Sequence, residues 1–131
     1  MSIQVQVNQV SGSAAEGIAR SHHVLIDRPS EKGGEDQGMM GGEYLLVALG
    51  GCFMSNLLAA VKAREADIKG VKLQIVGTLE SAPSRFSEIE VQVSAEASDR
   101  AQLEKLVEMA DRACISSNTL RQAAKVTFTV L

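Results

Sequence analysis

Cys52 and Cys114 are the two thiols of this 131-residue chain, and they are its best candidates for chemistry. A thiolate is a nucleophile that can be oxidised and reduced reversibly, so two thiols that meet in the fold could run a redox cycle. The structural alternative is a buried cysteine that behaves as a small hydrophobic side chain, which is common. The separation of the two residues along the chain leaves both interpretations open.

No other grouping of residues predicts a catalytic or metal site. His22 and His23 are adjacent in a predicted strand, so their side chains point to opposite faces. No Cys-x-x-Cys or His-x-x-x-His spacing occurs, and no set of Ser, His and acid stands out. The isolated Gly-Gly pairs are too short to indicate a phosphate-binding loop. We therefore expect neither a metal nor a cofactor.

Cys52 lies near the middle of a long apolar stretch, residues 43–66, that consists mostly of good helix formers. A helix of this length would run about 36 Å, and it carries no charge from Tyr44 to Val61. Such a helix must be surrounded by protein or by lipid. Its glycines and polar side chains make it weakly hydrophobic for a bilayer. We therefore predict a core helix that is wrapped by sheets and shared with a second subunit.

Composition and charge predict a single domain spanning residues 1–131. Hydrophobic residues make up 45% of the chain and aromatic residues only 3%, so the core should be aliphatic. A net charge of -3 provides no electrostatic reason to bind nucleic acid or an anionic membrane. The N-terminus alternates apolar and polar residues at once and lacks the pattern of a signal peptide. We expect a cytoplasmic protein with no nucleic-acid or membrane partner.

Alternating apolar residues predict an α+β domain with the element order β-β-β-α-β-β-α-β. The predicted strands cover residues 3–7, 14–21, 22–27, 71–79, 89–95 and 126–130. The two strands after the long helix should pair as a hairpin, in which Gly77 is a candidate bulge position. Residues 30–42 show no periodicity and predict a loop of about thirteen residues, which is long enough to suggest a function.

A second helix is predicted to follow the hairpin, with Ser98 or Asp99 as its N-cap. It has one apolar stripe at positions i, i+3, i+4 and i+7, beginning at Leu103. Cys114 falls at the end of this helix, and residues 116–120 predict a short turn or helix after it.

Two segments resemble sequence motifs of the OsmC/Ohr family of thiol peroxidases. Residues 38–52 read G-x-x-x-x-E-x-L-L-x-A-L-G-G-C, which is similar to the family's helix signature. Residues 110–120 read A-D-x-A-C-x-x-S-N-T-L, which is similar to its second cysteine motif. The stretch D-x-P-x-x-x-G-G over residues 27–34 and the order of strands also look alike. The resemblance therefore spans nearly the whole chain.

The resemblance implies an intertwined homodimer in which sheets from both subunits enclose two central helices. It also implies reduction of organic hydroperoxides by a pair of cysteines. Carried over to this chain, Cys52 attacks the peroxide and becomes a sulfenic acid, and Cys114 condenses with it to a disulfide. A cellular dithiol then reduces the disulfide. An apolar wall of Leu49, Phe53 and Met54 would favour alkyl hydroperoxides.

Activation of the first thiol is the open part of this comparison. Burial raises the pKa of a thiol, so Cys52 is expected to need a nearby cation or hydrogen-bond donors. Peroxidases of the family pair the thiol with an Arg and a Glu, and the Glu position corresponds here to Gly42. Glu43 would lie on the opposite side of the helix, about 13 Å along its axis. Arg28 and Arg20 are the candidate cations, and the alternative for Arg28 is a solvated surface charge.

Two classes of function therefore stay open. The first is a thiol-dependent hydroperoxide reductase with Cys52 and Cys114 as catalytic residues, assisted by Arg28 and Glu43. Its partners would be an organic hydroperoxide and a thiol reductant. The second is a redox-inactive or weakly active OsmC-like homodimer that binds a small apolar or thiol-reactive ligand at its interface. Gly42 in place of Glu favours the second class, whereas the presence of both cysteines favours the first.

Overall fold

Three helices and two antiparallel sheets make up the chain, which the computed structural model describes from residue 1 to residue 131. These elements confirm the predicted α+β class. In chain order they are β1 Gln6–Gln9, β2 Ala15–Ala19, β3 His22–Ile26, α1 Gly41–Ala63, β4 Ile68–Glu80, β5 Arg85–Ala97, α2 Arg100–Arg112 and α3 Ile115–Gln122. Contacts within the chain define two units, residues 1–45 and residues 46–131.

A three-stranded sheet in the order β1-β2-β3 forms most of the first unit. Strands β2 and β3 lie where alternation predicts them, and Arg20 occupies the turn between them with a left-handed φ of 56°. Strand β1 begins three residues later than the prediction, because β2 pairs only with Gln6–Gln9. Ile3 and Val5 precede the strand, and their side chains are 80% and 64% exposed. Ile3 and Val5 continue the apolar–polar alternation of β1, but no strand of this chain hydrogen bonds to them.

The predicted loop after β3 is closed by one buried carboxylate. Asp27 is 3% exposed and accepts the backbone N–H groups of Arg28, Glu35 and Gln37 at 2.7, 3.1 and 3.2 Å. Burial raises the pKa of Asp27, but the N–H groups of Arg28, Gln37 and Glu35 outweigh burial, and its pKa lies below the usual value. The loop therefore has a fixed closure that its lack of periodicity does not predict.

Helix α1 begins two residues before the predicted start and ends three residues before the predicted end. At its first turn, the Glu43 carboxylate accepts the backbone N–H of Met40 at 2.9 Å, as the Glu of a capping box does. By length and composition alone this helix could cross a membrane, with 22% of the apolar stretch buried within the chain. That is weak evidence, because the core helix of a soluble protein meets the same criterion.

The second unit packs the β4–β5 hairpin and α2 against the apolar stripe of α1. Its core consists of Leu49, Phe53, Leu57, Ile68, Leu106, Ala110 and Cys114. The predicted hairpin is confirmed, and each strand is 13 residues long because alternation continues beyond the predicted ends. A register shift falls between Thr78 and Leu79, whereas Gly77 stays in register, where a Cβ would lie 2.7 Å from the Phe86 ring.

The end of the second unit departs from prediction at one element. Asp99 caps α2 as expected, with its side chain accepting the Gln102 N–H at 3.2 Å. The predicted last strand over residues 126–130 is wrong for this chain, since residues 123–131 form neither helix nor strand. Val126 and Phe128 are 74% and 95% exposed. A strand needs a neighbour for its backbone groups, and no strand of this chain pairs with the segment.

Candidate thiol site

Cys114 stands at the junction of two helices and begins the second of them. Helix α2 ends at Arg112, and Cys114 is the N-cap of α3, with its Sγ accepting the Ser117 N–H at 3.4 Å. The prediction placed Cys114 at the end of the second helix; the structure places it at the start of the third. Its side chain is completely buried. Helix α3 extends the predicted 116–120 segment at both ends because a cap is present.

Cys52 lies on α1 beside the core-facing stripe and packs against the cluster that contains Cys114. It is half-buried in this chain, whereas its neighbours Leu49 and Phe53 are each 5% exposed. The Cys114 thiol lies close enough to the Cys52 thiol to lower its pKa. The structure therefore brings the two predicted thiols together within the second unit, and both cysteines are free.

The start of α3 lowers the pKa of Cys52. The backbone N–H of Ser116 has the largest effect on that pKa, burial opposes it, and the Cys114 thiol, the Ser116 hydroxyl and the Ile115 N–H add to it. The fully formed hydrogen bond at this helix start goes to the sulfur of Cys114, so these donors approach Cys52 less closely aligned. A helix N-terminus presents free N–H groups and a partial positive charge, and both favour a thiolate.

Burial raises the pKa of Cys52 as expected, but the donors at the start of α3 outweigh burial, so the pKa of Cys52 is lowered. The physical reason is that Cys52, although far from the first turn of its own helix, faces the first turn of another helix. Donors from a neighbouring helix start depend on tertiary packing, which spacing along the sequence does not reveal.

Asp111, in the last turn of α2, connects the two helices of the junction. One carboxylate oxygen, Oδ1, accepts the Ser117 hydroxyl at 2.8 Å, and Oδ2 accepts Nη2 of Arg121 at 2.7 Å. The same Ser117 hydroxyl lies 3.1 Å from the Asp111 carbonyl oxygen, which also accepts the Cys114 N–H at 3.0 Å. One residue of α2 thus holds a hydroxyl and a guanidinium of α3 beside the thiols.

Asp111 and Arg121 shift each other's pKa values. The hydrogen bond from Arg121 is the largest effect on Asp111, and together with the Ser117 hydroxyl it holds the pKa of that carboxyl below its usual value against burial. The same Asp111 raises the pKa of Arg121, and a negative charge on Cys114 would add to that rise. Arg121 is therefore a cation that lies close enough to Cys114 to stabilise a thiolate there.

The other predicted site residues lie in the first unit. Arg28 is exposed, and its backbone rather than its guanidinium takes part in the loop closure by Asp27. Glu43 binds the Met40 N–H at the start of α1. Arg20 is exposed in the β2–β3 turn. The participation of these residues in chemistry stays a prediction.

Sequence reasoning missed Ser116 and Arg121, and it gave no role to Asp111 and Ser117, although both are part of the quoted second motif. The sequence does indicate Asp111 and Ser117, because Asp and Ser are residue types that cap helices and they lie three residues before and after Cys114. No group of three or more His, Cys, Asp and Glu side chains is arranged to hold a metal ion. His23 instead pairs with Glu16 at 3.3 Å.

The fold of this chain is the one seen in solved OsmC and Ohr structures. The crystal structure of the OsmC-like protein of Mycoplasma pneumoniae matches with a TM-score of 0.82 at 16% identity, over 94% of this chain and 89% of that chain. An organic hydroperoxide resistance protein of Legionella pneumophila matches with a TM-score of 0.67 at 18% identity, over 92% and 90%. The Bacillus subtilis protein OhrB matches with a TM-score of 0.61 at 18% identity, over 94% and 93%.

The family model of the OsmC-like proteins matches residues 34–129, which include both cysteines. The chain belongs to the OsmC-like protein family. A comparison with curated proteins finds no significant match. The resemblance inferred from the two cysteine segments is thereby confirmed at the level of the family.

Proposed function

We propose that this protein reduces organic hydroperoxides with Cys52 as the attacking thiol and Cys114 as the resolving thiol. The single observation that carries the proposal is that both sulfurs lie at the N-terminus of α3, where the pKa of Cys52 is lowered. A thiol that has a lowered pKa and lies beside a second thiol has the two properties that a disulfide-forming peroxidase needs. Four of the matched solved structures carry names that refer to hydroperoxide resistance or stress response.

The first step uses the thiolate of Cys52. Its sulfur attacks the terminal oxygen of the hydroperoxide, so that a sulfur–oxygen bond forms while the oxygen–oxygen bond breaks. The leaving alkoxide takes a proton and departs as an alcohol, and Cys52 becomes a sulfenic acid. The N–H groups of Ile115 and Ser116 stabilise the thiolate before attack.

The second step uses Cys114. Its sulfur attacks the sulfur of the sulfenic acid, the disulfide bond forms, and the hydroxyl group leaves as water. An external dithiol then returns the pair to two thiols and is itself oxidised to a disulfide. The burial of Cys114 protects it from direct oxidation, and its adjacency to Cys52 shortens the lifetime of the sulfenic acid, which limits over-oxidation.

The working unit of this proposal is an intertwined homodimer. Apolar residues of α1 remain exposed in the single chain, with Leu45, Val47 and Leu58 at 43%, 49% and 49%. The alternating segments at both ends of the chain lack partner strands. A patch of this kind marks an interaction surface, and we expect an interface larger than about 1,600 Å². A stable folded monomer in sedimentation at micromolar concentration would rule the dimer out.

A ligand-binding role is the second candidate, and one observation favours it. A groove of about 380 Å³ lies between β5 and α2, with Val93, Leu103 and Val107 among its apolar lining and Arg100 and Glu104 at its polar edge. This volume is within the range of small-molecule sites. In this role the same family fold would hold a small apolar or thiol-reactive ligand, and the cysteines would turn over slowly or not at all.

Consumption of cumene hydroperoxide with dithiothreitol separates the two roles, with hydrogen peroxide as the comparison. We expect catalytic consumption, faster with cumene hydroperoxide, and its loss in Cys52→Ser. Cys114→Ser should start at a measurable rate and then inactivate by over-oxidation of Cys52, detectable as sulfinic acid by mass spectrometry. Equal consumption by wild type and Cys52→Ser would exclude the enzyme role.

A further inference from the structure

Nothing in the reaction described above uses the ion pair at the α2–α3 junction. The Arg121–Asp111 pair is short, at 2.7 Å, yet its side chains are 61% and 37% exposed. Partly exposed ion pairs contribute little to stability, so stability alone does not explain its place beside two thiols. The chain has two other carboxylate–arginine pairs, and both join residues i and i+4 of the single helix α2.

The Asp111 pair differs from those two because it joins separate helices. Its carboxylate is shared: one oxygen binds the Ser117 hydroxyl in the first turn of α3, and the other binds Arg121 in the last turn. Both ends of this eight-residue helix are therefore attached to one residue of α2. Asn118 adds a third link, with its Nδ2 donating to the Arg112 carbonyl at 3.0 Å.

We propose that Asp111 and Arg121 are positioning residues that hold the first turn of α3 against the sulfur of Cys52. The N–H groups of Ile115 and Ser116 belong to that turn, and Cys52 packs against the cluster that contains its N-cap, Cys114. Helix α3 has no buried residue of its own, so its links to α2 fix its position. A displacement of the turn by about 1 Å would weaken its donors on the thiolate, because hydrogen bonds weaken steeply with poor alignment. The inference deepens the proposed function, since it names what sets the reactivity of the attacking thiol.

Simple electrostatics and positioning predict opposite results for one substitution. Cys114 is the titratable group that faces Cys52, and Arg121 is the charged group that faces both Asp111 and Cys114. If charge alone mattered, removal of the Asp111 anion would favour a thiolate nearby and lower its pKa. If Asp111 positions α3, its removal frees the helix start from Cys52, and the pKa of Cys52 rises.

The experiment measures how the rate of iodoacetamide modification of Cys52 depends on pH. The folded, reduced protein is labelled first and then digested, and mass spectrometry of the peptide that contains Cys52 gives the extent of modification. We expect Asp111→Ala and Arg121→Met to raise the midpoint by roughly one pH unit, about the value of one hydrogen bond to the thiolate. Arg121→Lys should return the midpoint most of the way to the wild-type value, because Lys keeps a donor for the single hydrogen bond to the Asp111 carboxylate. A lowered or unchanged midpoint in Asp111→Ala would overturn the inference.

Arg112→Met is the matched control. Arg112 is the residue after Asp111, and its guanidinium pairs at 3.1 Å with Glu108 of the same helix rather than with α3. We expect its midpoint to equal that of the wild type; a shift as large as that of Arg121→Met would also overturn the inference. If Asp111→Ala does not fold, Ser117→Ala is the second variant. It removes the hydroxyl that donates to Oδ1 of Asp111 and should also raise the midpoint.

This test does not depend on hydroperoxide turnover. A raised midpoint in a protein that consumes no hydroperoxide would support the positioning of α3 and contradict the proposed reaction. Turnover with unchanged midpoints would support the reaction and overturn the positioning. The two proposals therefore fail separately.

Discussion

Two carboxylates, one in each unit, organise a segment of similar length by different means. Asp27 reaches ten residues along the chain to the Gln37 N–H, and Asp111 reaches ten residues to the Arg121 guanidinium. Asp27 is buried and binds three neutral backbone groups. Asp111 is half-buried and binds a hydroxyl and a cation.

The difference indicates that Asp27 fixes the shape of a loop, whereas Asp111 fixes the position of a helix start. Backbone donors fix the path of the loop whatever side chains it carries, so Asp27 determines loop shape. Side-chain donors on α3 connect Asp111 to a helix start beside two thiols, so we expect changes there to alter the reactivity of Cys52. Salt screens the contacts of the buried Asp27 carboxylate with neutral N–H groups much less than it screens the partly exposed ion pair of Asp111 and Arg121.

The largest expected effect tests whether the loop also contributes to the chemistry. The Arg28 guanidinium is exposed and takes part in no ion pair of this chain. We predict that Arg28→Ala abolishes hydroperoxide turnover, raises the midpoint of Cys52 alkylation and leaves the dimer intact. Glu43→Ala should reduce turnover less, because its carboxylate is engaged with the Met40 N–H. An unchanged midpoint in Arg28→Ala would make Arg28 a surface charge and confine activation to α3.

A second prediction tests how closely the loop is packed. A Cβ at Gly34 would overlap the Arg28 carbonyl, which accepts the Asp36 N–H at 3.0 Å. We expect Gly34→Ala to lower the free energy of unfolding by on the order of 3 kcal/mol, because backbone atoms cannot move aside as a side-chain end can. Gly12→Ala, where nothing lies within 4 Å, is the control. Equal urea midpoints for both variants would show that the loop adjusts freely.

The smallest effect compares the two carboxylates in acid. Both have pKa values below the usual range, so each stabilises the fold above the unfolded-state pKa of about 3.9, and this stability is lost as pH falls through the lower folded-state pKa. Asp27→Asn and Asp111→Asn should therefore each flatten the loss of stability between pH 5 and pH 2. In 1 M salt, the contribution of Asp111, about 0–1 kcal/mol, should disappear while that of Asp27 persists. Equal salt sensitivity in urea titrations would contradict the distinction.

Local patterns predicted the long helix, the hairpin and the capped second helix because their signals lie within each segment. Alternation along β4 and β5 and the helical spacing that begins at Leu103 need no knowledge of the rest of the fold. The last strand failed for the complementary reason. Alternation at residues 126–130 indicates that one face of the segment is apolar and the other polar. A strand also needs a partner strand, and this chain supplies none.

The sequence identified the two cysteines of the candidate thiol site, but it did not predict the groups that lower the pKa of Cys52. Cys52 and Cys114 stood out by residue type and by their motifs. The lowered pKa of Cys52 depends on where α3 begins and on which side of α1 it meets, and both follow from packing. Arg121 lay one residue beyond the second motif, and only the folded junction shows that it reaches Asp111.

The most direct test of the account is the number of thiols lost in a single oxidation. Fully reduced protein is treated with one equivalent of cumene hydroperoxide per chain without reductant, and the remaining thiols are counted with a thiol reagent after denaturation. We predict the loss of two thiols per chain and a disulfide between Cys52 and Cys114 in the digest. Loss of one thiol, or of none, would contradict a reaction in which Cys52 attacks and Cys114 resolves.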